Sequence, residues 1–199
     1  MIDTLAKKIT TKFIDHKIIK SDDREIYNYC FETTIVILLS YSLLFILSVI
    51  FNEFMSTLIF ILSFSSFRKV CGGYHADNYL KCGIMSLASY LFLIFIIKKL
   101  NIIFEISTLT LVIGALTIMF LSPIQDDNKP FTDKQYKRFK IISKGLAAIL
   151  IIVFVIIEAL GLHKSIINKY YFSFCYGIDL IAFSLLISKI ERRIKNAKV

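Results

Sequence analysis

The chain has 199 residues, of which 56% are hydrophobic, with a formal net charge of +9, two prolines and no tryptophan. A soluble domain is about 45–50% apolar, and the apolar residues here form long runs, which predicts an integral membrane protein. The basic charge lies beside these runs without a separate basic fold or a stacking motif, which argues against a nucleic-acid partner.

Residues 1–32 alternate charged and apolar residues and contain no compact apolar core, so they do not have the pattern of a cleavable signal peptide. The spacing of their apolar residues predicts an amphipathic helix lying at the membrane surface. A soluble helix packed on cytosolic loops fits the same pattern equally well. The apolar positions at helical spacing are Ile2, Leu5, Ile9 and Phe13.

Six apolar segments follow, and each is a candidate membrane-spanning helix. A helix needs about 20 residues to cross the hydrocarbon, and the second and third segments are shorter. We expect either that their facing ends extend toward each other or that the bilayer is thin there. Only Asn52 and Glu53 separate the first two, which predicts a tight hairpin. The segments are 33–51, 54–67, 83–97, 106–122, 145–162 and 170–188.

Lys and Arg concentrate in cytoplasmic loops of membrane proteins. With six spans and the N-terminus inside, 20 of the 24 basic residues lie on the cytoplasmic side. The predicted fold class is therefore an all-α integral membrane protein with six transmembrane helices, an amphipathic N-terminal helix and both termini cytoplasmic. We expect a single domain over 1–199: a cytoplasmic or interfacial segment 1–32, a six-span bundle 33–188 and a basic cytoplasmic tail 189–199.

The stretch SFRKVCGGYHADNYLKCGIMS between the second and third spans permits three interpretations. In a catalytic one, Cys82 is a nucleophile and His75 its base. In a metal site, Cys71, His75 and Cys82 would be three soft zinc ligands, although a fourth is not evident. In a structural one, Gly72 and Gly73 make a turn and the cysteines are small buried hydrophobes. Spacing alone favours the structural interpretation.

Geometry constrains the catalytic interpretation. In one straight helix the Cα atoms of His75 and Cys82 would lie roughly 10 Å apart along the axis, whereas a hydrogen bond needs heavy atoms about 3 Å apart. A catalytic pair therefore predicts that Gly72 and Gly73 free the backbone and that a bend or loop lies around residues 75–80. It also places Cys82 at or near the start of the third spanning helix, where the helix N-terminus favours the thiolate.

This stretch resembles the AgrB family, which are membrane-embedded cysteine peptidases of Gram-positive quorum sensing. A second stretch, SPIQDDNKP at 122–130, is similar to the proline-containing loop after the family's fourth span. Length, basic charge and the six-span layout agree as well, so the resemblance covers nearly the whole chain and favours the catalytic interpretation. The first motif has the pattern R-x3-GG-x-HA-x5-C and consists of Arg68, Gly72, Gly73, His75, Ala76 and Cys82.

The resemblance implies a reaction. AgrB-like proteins remove the C-terminal tail of an AgrD-like propeptide, so Cys82 would attack the scissile carbonyl and form an acyl-enzyme thioester. His75 would act as base and then as acid toward the leaving amine. The propeptide's own cysteine would then attack the thioester to give a cyclic thiolactone. The resemblance further implies a cell-membrane location with a cytoplasmic active site, a homodimer, and no cofactor or metal.

Other residues near the pair are candidates for binding substrate or supporting the site. Arg68 would bind substrate carboxylates, brace the loop or anchor the membrane border. The Gly73 amide would contribute to an oxyanion site or serve only the turn. Asp77 and Asn78 are candidates to orient the histidine, while the Ser86 hydroxyl would bond in the site or to its own backbone. The full set is Arg68, Gly72, Gly73, Asp77, Asn78 and Ser86.

Two features outside this stretch keep other functions open. Asp179 lies in the middle of the sixth span and Glu158 near the end of the fifth, where an ionisable residue is costly and suggests function. The alternative is a small membrane transporter or channel that uses both residues. The basic cytoplasmic loops would contact anionic lipids or the acidic tail of a propeptide. The basic residues after the fourth span are Lys134, Lys137, Arg138 and Lys140.

Overall fold

The computed structural model describes residues 2–74, 79–100, 104–125, 131–159 and 168–196, except the side chains of Tyr79, Leu80, Glu158 and Asn196. Within these ranges there are seven α-helices and one short 3-10 helix (Ser21–Asp23), and six helices are long and apolar enough to cross a membrane. This confirms the predicted all-α, six-span fold; the orientation of the termini stays a prediction. The helices are α1 (Ile2–Asp15), α2 (Arg24–Ile50), α3 (Phe54–Cys71), α4 (Tyr79–Lys99), α5 (Phe104–Leu121), α6 (Asp133–Ala159) and α7 (Asn168–Asn196).

The two segments that looked too short to span a membrane are longer in the structure. Helix α3 continues to Cys71 and has 18 residues, and α4 begins at Tyr79 and has 21. The first of the two expectations is therefore confirmed, because both helices extend into the stretch between them. Helix α3 ends where Gly72, with a φ of 70°, leaves the helical region of backbone space.

Helix α6 begins before its apolar segment, at Asp133. A reciprocal pair of hydrogen bonds forms its start, because the Gln135 amide donates to Thr132 Oγ1 at 3.3 Å and the Thr132 amide donates to Gln135 Oε1 at 3.0 Å. This T-x-x-Q arrangement satisfies amides that a helix N-terminus otherwise leaves unpaired. Much of the predicted basic loop is thus a helical extension of the spanning segment.

Helix α7 likewise continues past residue 188, to Asn196. Neither Gly nor Pro interrupts this end of the chain, and Lys195 pairs with Glu191 one turn earlier at 3.2 Å. Most of the predicted basic tail is therefore helical, and its charged residues belong to the same helix as the last span.

Helix α1 packs against the first turns of α2. Its Ala6 and Thr10 are buried, Thr10 Oγ1 donates to Asn28 Oδ1 at 3.0 Å, and the rings of Phe13 and Phe31 lie 5.2 Å apart. Leu5, which the sequence pattern placed on the apolar face, is 46% exposed. The helix therefore packs on α2 through Ala6, Thr10 and Phe13 and leaves Leu5 on its outer side.

Helices α3 and α7 run parallel and form the centre of the bundle. At one end Lys169 Nζ lies 3.1 Å from Glu53 Oε2, and at the other Arg68 Nη1 donates to Ser184 Oγ at 2.6 Å. The two contacts lie 15 residues apart along each of the two segments, which corresponds to about 22 Å of helical rise. The two helices are therefore in register over most of a membrane thickness.

Two apolar clusters flank this central pair. On one side, residues of α3, α5, α6 and α7 pack with Ile124; on the other, residues of α2, α3 and α4 pack together. The first cluster contains Phe67, Cys71, Leu111, Ile118, Ile124, Ala147, Cys175, Ile178, Ile181 and Leu185. The second contains Leu44, Phe60, Ile61, Tyr90, Leu93 and Ile94.

A glycine allows α3 and α7 to approach closely. A Cβ atom on Gly177 would lie 2.1 Å from Ser63 Oγ and 3.1 Å from the Phe64 backbone nitrogen. Small residues at such contacts are the usual means of close helix packing in membranes. We expect Gly177→Ala to lower the thermal unfolding midpoint of the protein in detergent, because the helices must separate.

The double variant Gly177→Ala with Ser63→Ala checks this explanation. Ser63 Oγ bonds only its own helix, donating to the Phe60 carbonyl at 3.0 Å, so its loss is mild and it removes the nearest clashing atom. The double variant should regain part of the lost midpoint. A double variant less stable than Gly177→Ala alone would contradict the steric explanation.

Candidate active site

Cys82 lies in the first turn of α4, as the fourth residue of the helix, and its side chain is exposed. The expectation that it lies near the start of the third span is confirmed. The first turn of a helix carries backbone amides without partners inside the helix, so the thiol lies near hydrogen-bond donors.

Cys82 lies on the wall of a cavity of about 210 Å³ between α2, α3, α4 and α7. The cavity brings together three residues that the sequence singled out, because Arg68, Cys82 and Ser86 all line it. Cys82 and Ser86 are one helical turn apart and therefore share the face of α4 that borders the cavity. The other polar residues of the wall are Ser40, Tyr41, Tyr74, Ser89 and Ser184.

The chain leaves α3 through a segment whose backbone polar groups are paired across the bundle. The Ile124 amide donates to the Cys71 carbonyl at 3.0 Å, and the Gly73 amide donates to the Ile124 carbonyl at 3.2 Å. The two sequence motifs, which lie about 50 residues apart, thus meet in a short parallel pairing between Gly72 and Ile124. Backbone outside a helix needs such partners where water is scarce. An oxyanion role for the Gly73 amide would first require this bond to break.

Arg68 and Ser184 hold the other backbone groups of this segment. The guanidinium donates to the Gly72 carbonyl at 2.9 Å and to the Tyr74 carbonyl, and the Tyr74 amide donates to Ser184 Oγ at 3.0 Å. Of the roles predicted for Arg68, these contacts favour bracing the loop. A charged donor that bonds several carbonyls fixes their geometry more strongly than neutral groups do.

Both glycines of the motif are required by space and by backbone geometry. Gly72 has a φ of 70°, and a Cβ on it would lie 2.0 Å from the Ile124 carbonyl oxygen. Gly73 has a φ of 113°, and a Cβ on it would lie 2.5 Å from Ser184 Oγ and 2.6 Å from Arg68 Nη1. Any other residue would be strained at these angles and would displace the groups that hold the loop.

Three predicted site residues, His75, Asp77 and Asn78, lie outside the described residues. Their proposed roles as base and orienting groups therefore stay predictions. The described residues on either side of them are Tyr74, which lines the cavity, and Tyr79, where α4 begins.

Three further residues support this segment and were not predicted from the sequence: Ile124, Ser184 and Arg192. Arg192 Nη2 donates to the Gln125 carbonyl, one residue beyond Ile124. A serine in a spanning segment usually bonds its own backbone, which hides a role such as that of Ser184. Their spacing gives one indication of a shared role: Ser184 and Arg192 are eight residues apart, so both lie close to one face of a helix.

Two other residues singled out by the sequence lie away from the cavity. Cys71 is fully buried in the first apolar cluster, among residues of α3, α5, α6 and α7. Asp179 lies between α5 and α7, where a Cβ on Gly114 would be 2.8 Å from its Oδ1. Among the described residues no group of three His, Cys, Asp or Glu could hold a metal ion, and the metal interpretation depends on His75, which lies outside them.

Comparison with known proteins gives a consistent answer. The chain is 31% identical over 170 residues to a protein named AgrB-like from Clostridium perfringens strain SM101, covering 81% of this chain and 78% of that protein. It is 28% identical over 141 residues to accessory gene regulator protein B of Staphylococcus intermedius, covering 70% of each. No solved structure matches the chain at a significant level. The accessory gene regulator B family profile matches residues 6–188, and the chain therefore belongs to this family of multi-pass membrane proteins.

Proposed function

We propose that this chain is a membrane cysteine endopeptidase of accessory gene regulator quorum sensing. It removes the C-terminal tail of an AgrD-like propeptide through an acyl-enzyme on Cys82 and promotes closure of the product to a thiolactone. Family membership supports the quorum-sensing role.

One observation carries the proposal: an exposed thiol and a braced loop border the same cavity. Tyr74 is held by Arg68 and Ser184 and lines the cavity together with Cys82. His75, the proposed base, follows Tyr74 in the sequence. The braced backbone therefore leads directly into the residue that the proposal needs.

The chemistry needs only these two groups. The Cys82 thiolate attacks the scissile carbonyl, the sulfur–carbon bond forms and the carbon–nitrogen bond breaks, while His75 delivers a proton to the leaving amine. The propeptide's cysteine then attacks the thioester, which forms the ring and releases Cys82. Exchange between two thioesters is close to energetic balance, so the bond energy is kept provided that the cavity excludes water.

The charge distribution supports a site on the cytoplasmic side. The basic extensions of α6 and α7 lie at the end of the bundle where Arg192 contacts the segment after α5 and Arg68 contacts Ser184. Basic residues concentrate on the cytoplasmic side of membrane proteins. An acidic propeptide tail would meet Lys134, Lys137 and nearby basic residues there, and anionic lipids would meet the same surface. Assembly as a homodimer remains part of this proposal.

The full chain in lipid vesicles, incubated with a propeptide encoded beside its gene, tests the proposal. We expect a covalent adduct on Cys82, sensitive to hydroxylamine as a thioester is, and no adduct in His75→Ala. Asp179→Asn should still form the adduct, since Asp179 does not line the cavity. Loss of activity in Asp179→Asn with retention in the Cys82 and His75 variants would instead favour a transporter or channel that uses Asp179 and Glu158.

A further prediction concerns Ser184 as a positioning residue. Ser184→Ala removes the hydroxyl that accepts hydrogen bonds from Arg68 at 2.6 Å and from the Tyr74 amide at 3.0 Å. We expect the rate of Cys82 acylation to fall about tenfold, as for the loss of one or two net hydrogen bonds. Single-turnover kinetics with the propeptide measures this rate.

Ser173→Ala is the matched control, because this buried serine of α7 donates only to its own helix, at 2.8 Å to the Lys169 carbonyl. Both variants should have similar unfolding midpoints, and only Ser184→Ala should lose rate. Equal rates in the two variants would show that the Ser184 bonds do not position the loop for catalysis.

A further inference from the structure

Asp179 is an ionisable residue of the bundle that the proposed reaction does not use. It lies in the sixth span, ten residues from both Lys169 and Lys189, which corresponds to about 15 Å of helical rise in each direction. Helix α5, which packs against it, contains neither Lys nor Arg. Arg68 reaches α7 at Ser184 and is occupied by the loop carbonyls there. The two helices that enclose the carboxyl group therefore supply no cation at its level.

The carboxyl group of Asp179 is enclosed at the contact between α5 and α7. A Cβ atom on Gly114 would lie 2.8 Å from Asp179 Oδ1 and within 3.8 Å of Ile178 and Ala182, so this oxygen fills the space beside the glycine among apolar side chains. Oδ1 is buried and has no hydrogen-bond partner among the described residues. Such surroundings are strongly unfavourable for an oxygen of a carboxylate, whereas an oxygen of a neutral acid is much less costly to bury there.

Thr110 provides the acceptor that a neutral acid needs. Its side chain on α5 interacts with the Asp179 carboxyl group, and its Oγ1 donates to the Ser107 carbonyl at 3.0 Å. While this single hydroxyl proton is used within α5, the hydroxyl oxygen can accept a hydrogen bond but cannot donate a second one. The group that matches it across the interface is therefore an O–H on Asp179.

We propose that Asp179 is a proton-binding site inside the membrane: its side chain holds a proton at neutral pH, and the O–H donates a hydrogen bond to Thr110 Oγ1 between α7 and α5. A metal ion is the other occupant that a buried carboxyl group attracts, but such ions need several oxygen ligands. The described residues offer two at this place, the carboxyl group and the Thr110 hydroxyl, because the backbone carbonyls of both helices are paired within them. The inference does not depend on the proposed function, since Asp179 lies outside the cavity.

The hydrogen bond joins the two helices that bring distant supports to the segment after α3. Helix α5 ends at Leu121, three residues before Ile124, and Ser184 follows Asp179 on α7 by five residues. Hydrogen bonds between helices are a common link in membranes, where lipid chains offer no competing partner. The bound proton therefore helps to hold Ile124 and Ser184 at a fixed separation.

Dicyclohexylcarbodiimide, which dissolves in lipid, tests whether the acid form is present. The acid proton moves to a carbodiimide nitrogen while the carboxyl oxygen bonds to the central carbon, and the adduct rearranges to a stable N-acylurea that mass spectrometry locates. Asp179 is half-buried, so the reagent can reach it. With the full chain in lipid vesicles at neutral pH, we expect Asp179 to be labelled at least about tenfold faster than Glu53, whose carboxylate would have to leave its ion pair with Lys169.

Two further measurements separate a proton from a metal ion and from a bare carboxylate. The labelling rate of Asp179 should be equal in sodium chloride and in choline chloride, and protection by sodium would overturn the inference in favour of a cation site. The infrared difference spectrum between the wild type and Asp179→Asn needs no access for a reagent. It should contain the carbonyl band of a protonated carboxylic acid, and a carboxylate band in its place would overturn the inference whatever the labelling result.

Substitutions measure the hydrogen bond itself. Asp179→Asn stays neutral and can donate through its amide N–H, so its unfolding midpoint in detergent should equal that of the wild type. Asp179→Leu should lower the midpoint by roughly 2–4 °C, as for one interhelical hydrogen bond. Thr110→Val removes the acceptor and should lower the midpoint in the wild type but not in the Asp179→Leu background. Thr117→Val is the matched control, because this exposed threonine of α5 donates to the Ile113 carbonyl of its own helix at 2.8 Å.

Each change in these midpoints has a distinct meaning. A higher midpoint in Asp179→Asn would show that the wild type carries an unpaired charge, and a loss as large as that of Asp179→Leu would show that the charge binds a cation; either result would overturn the proton site. The same loss from Thr110→Val in both backgrounds would overturn the hydrogen bond between Asp179 and Thr110.

Discussion

Replacement of Cys82 by alanine is expected to abolish propeptide cleavage, with a loss of about a thousandfold or more, as when the nucleophile of a covalent peptidase is removed. The physical reason is that no other group takes over bond formation to the carbonyl, because Cys71 is buried and lies outside the cavity. Cleavage of a labelled propeptide by the purified chain in lipid vesicles, followed by gel electrophoresis, measures the loss.

Cys30→Ser is the matched control for this experiment. Cys30 is also an exposed free cysteine, but it lies near the start of α2 and does not line the cavity. It should keep full activity, and alkylating reagents that inactivate the wild type should inactivate Cys30→Ser at the same rate. Cleavage by Cys82→Ala at more than a few per cent of the wild-type rate would refute the nucleophile assignment.

The second large effect is expected for the two glycines that end α3. In Gly72→Ala the new Cβ would lie 2.0 Å from a backbone oxygen, that of Ile124, which a rotamer change cannot relieve. The positive φ adds roughly 1–2 kcal/mol of strain for a residue with a side chain. The pairing between Gly72 and Ile124 must therefore open, and we expect both a lower unfolding midpoint and nearly complete loss of cleavage.

Gly73→Ala should affect activity more than stability. Its Cβ would contact the ends of two side chains, Ser184 Oγ and Arg68 Nη1, which can move, but their movement releases the Tyr74 backbone that precedes the histidine. Gly145→Ala is the control for both, because open space surrounds that position on α6. If Gly72→Ala kept the unfolding midpoint and the cleavage rate of the wild type, the close approach of Gly72 to the Ile124 backbone would be contradicted.

The arrangement explains how a loop can be rigid at the end of a membrane bundle. The parallel helices α3 and α7 are tied at both ends, by Glu53 with Lys169 and by Arg68 with Ser184. The second tie also fixes the backbone from Gly72 to Tyr74. Catalytic groups need supports of this kind, because small misplacement of reacting atoms costs much of the rate.

Several features could be read directly from the chain because their causes are local. The apolar runs determined six spans, since a helix pairs its own backbone groups and needs only apolar length to cross hydrocarbon. The glycines at 72 and 73 indicated a break after α3, and a break near the start of the third span followed from the geometry of the motif. Even the early start of α6 has a local signal in Thr132 and Gln135.

What surrounds the thiol was decided only by the tertiary structure. Ile124 and Ser184 lie about 50 and 110 residues from the segment that they hold, and neither has a periodicity or a charge that indicates which backbone groups it meets. The cavity likewise exists because α2, α3 and α7 leave space beside the first half of α4. Local sequence fixed which residues could react, through composition and spacing; the long-range packing of α3 against α7 decided where they lie, because such contacts depend on shape complementarity between distant segments.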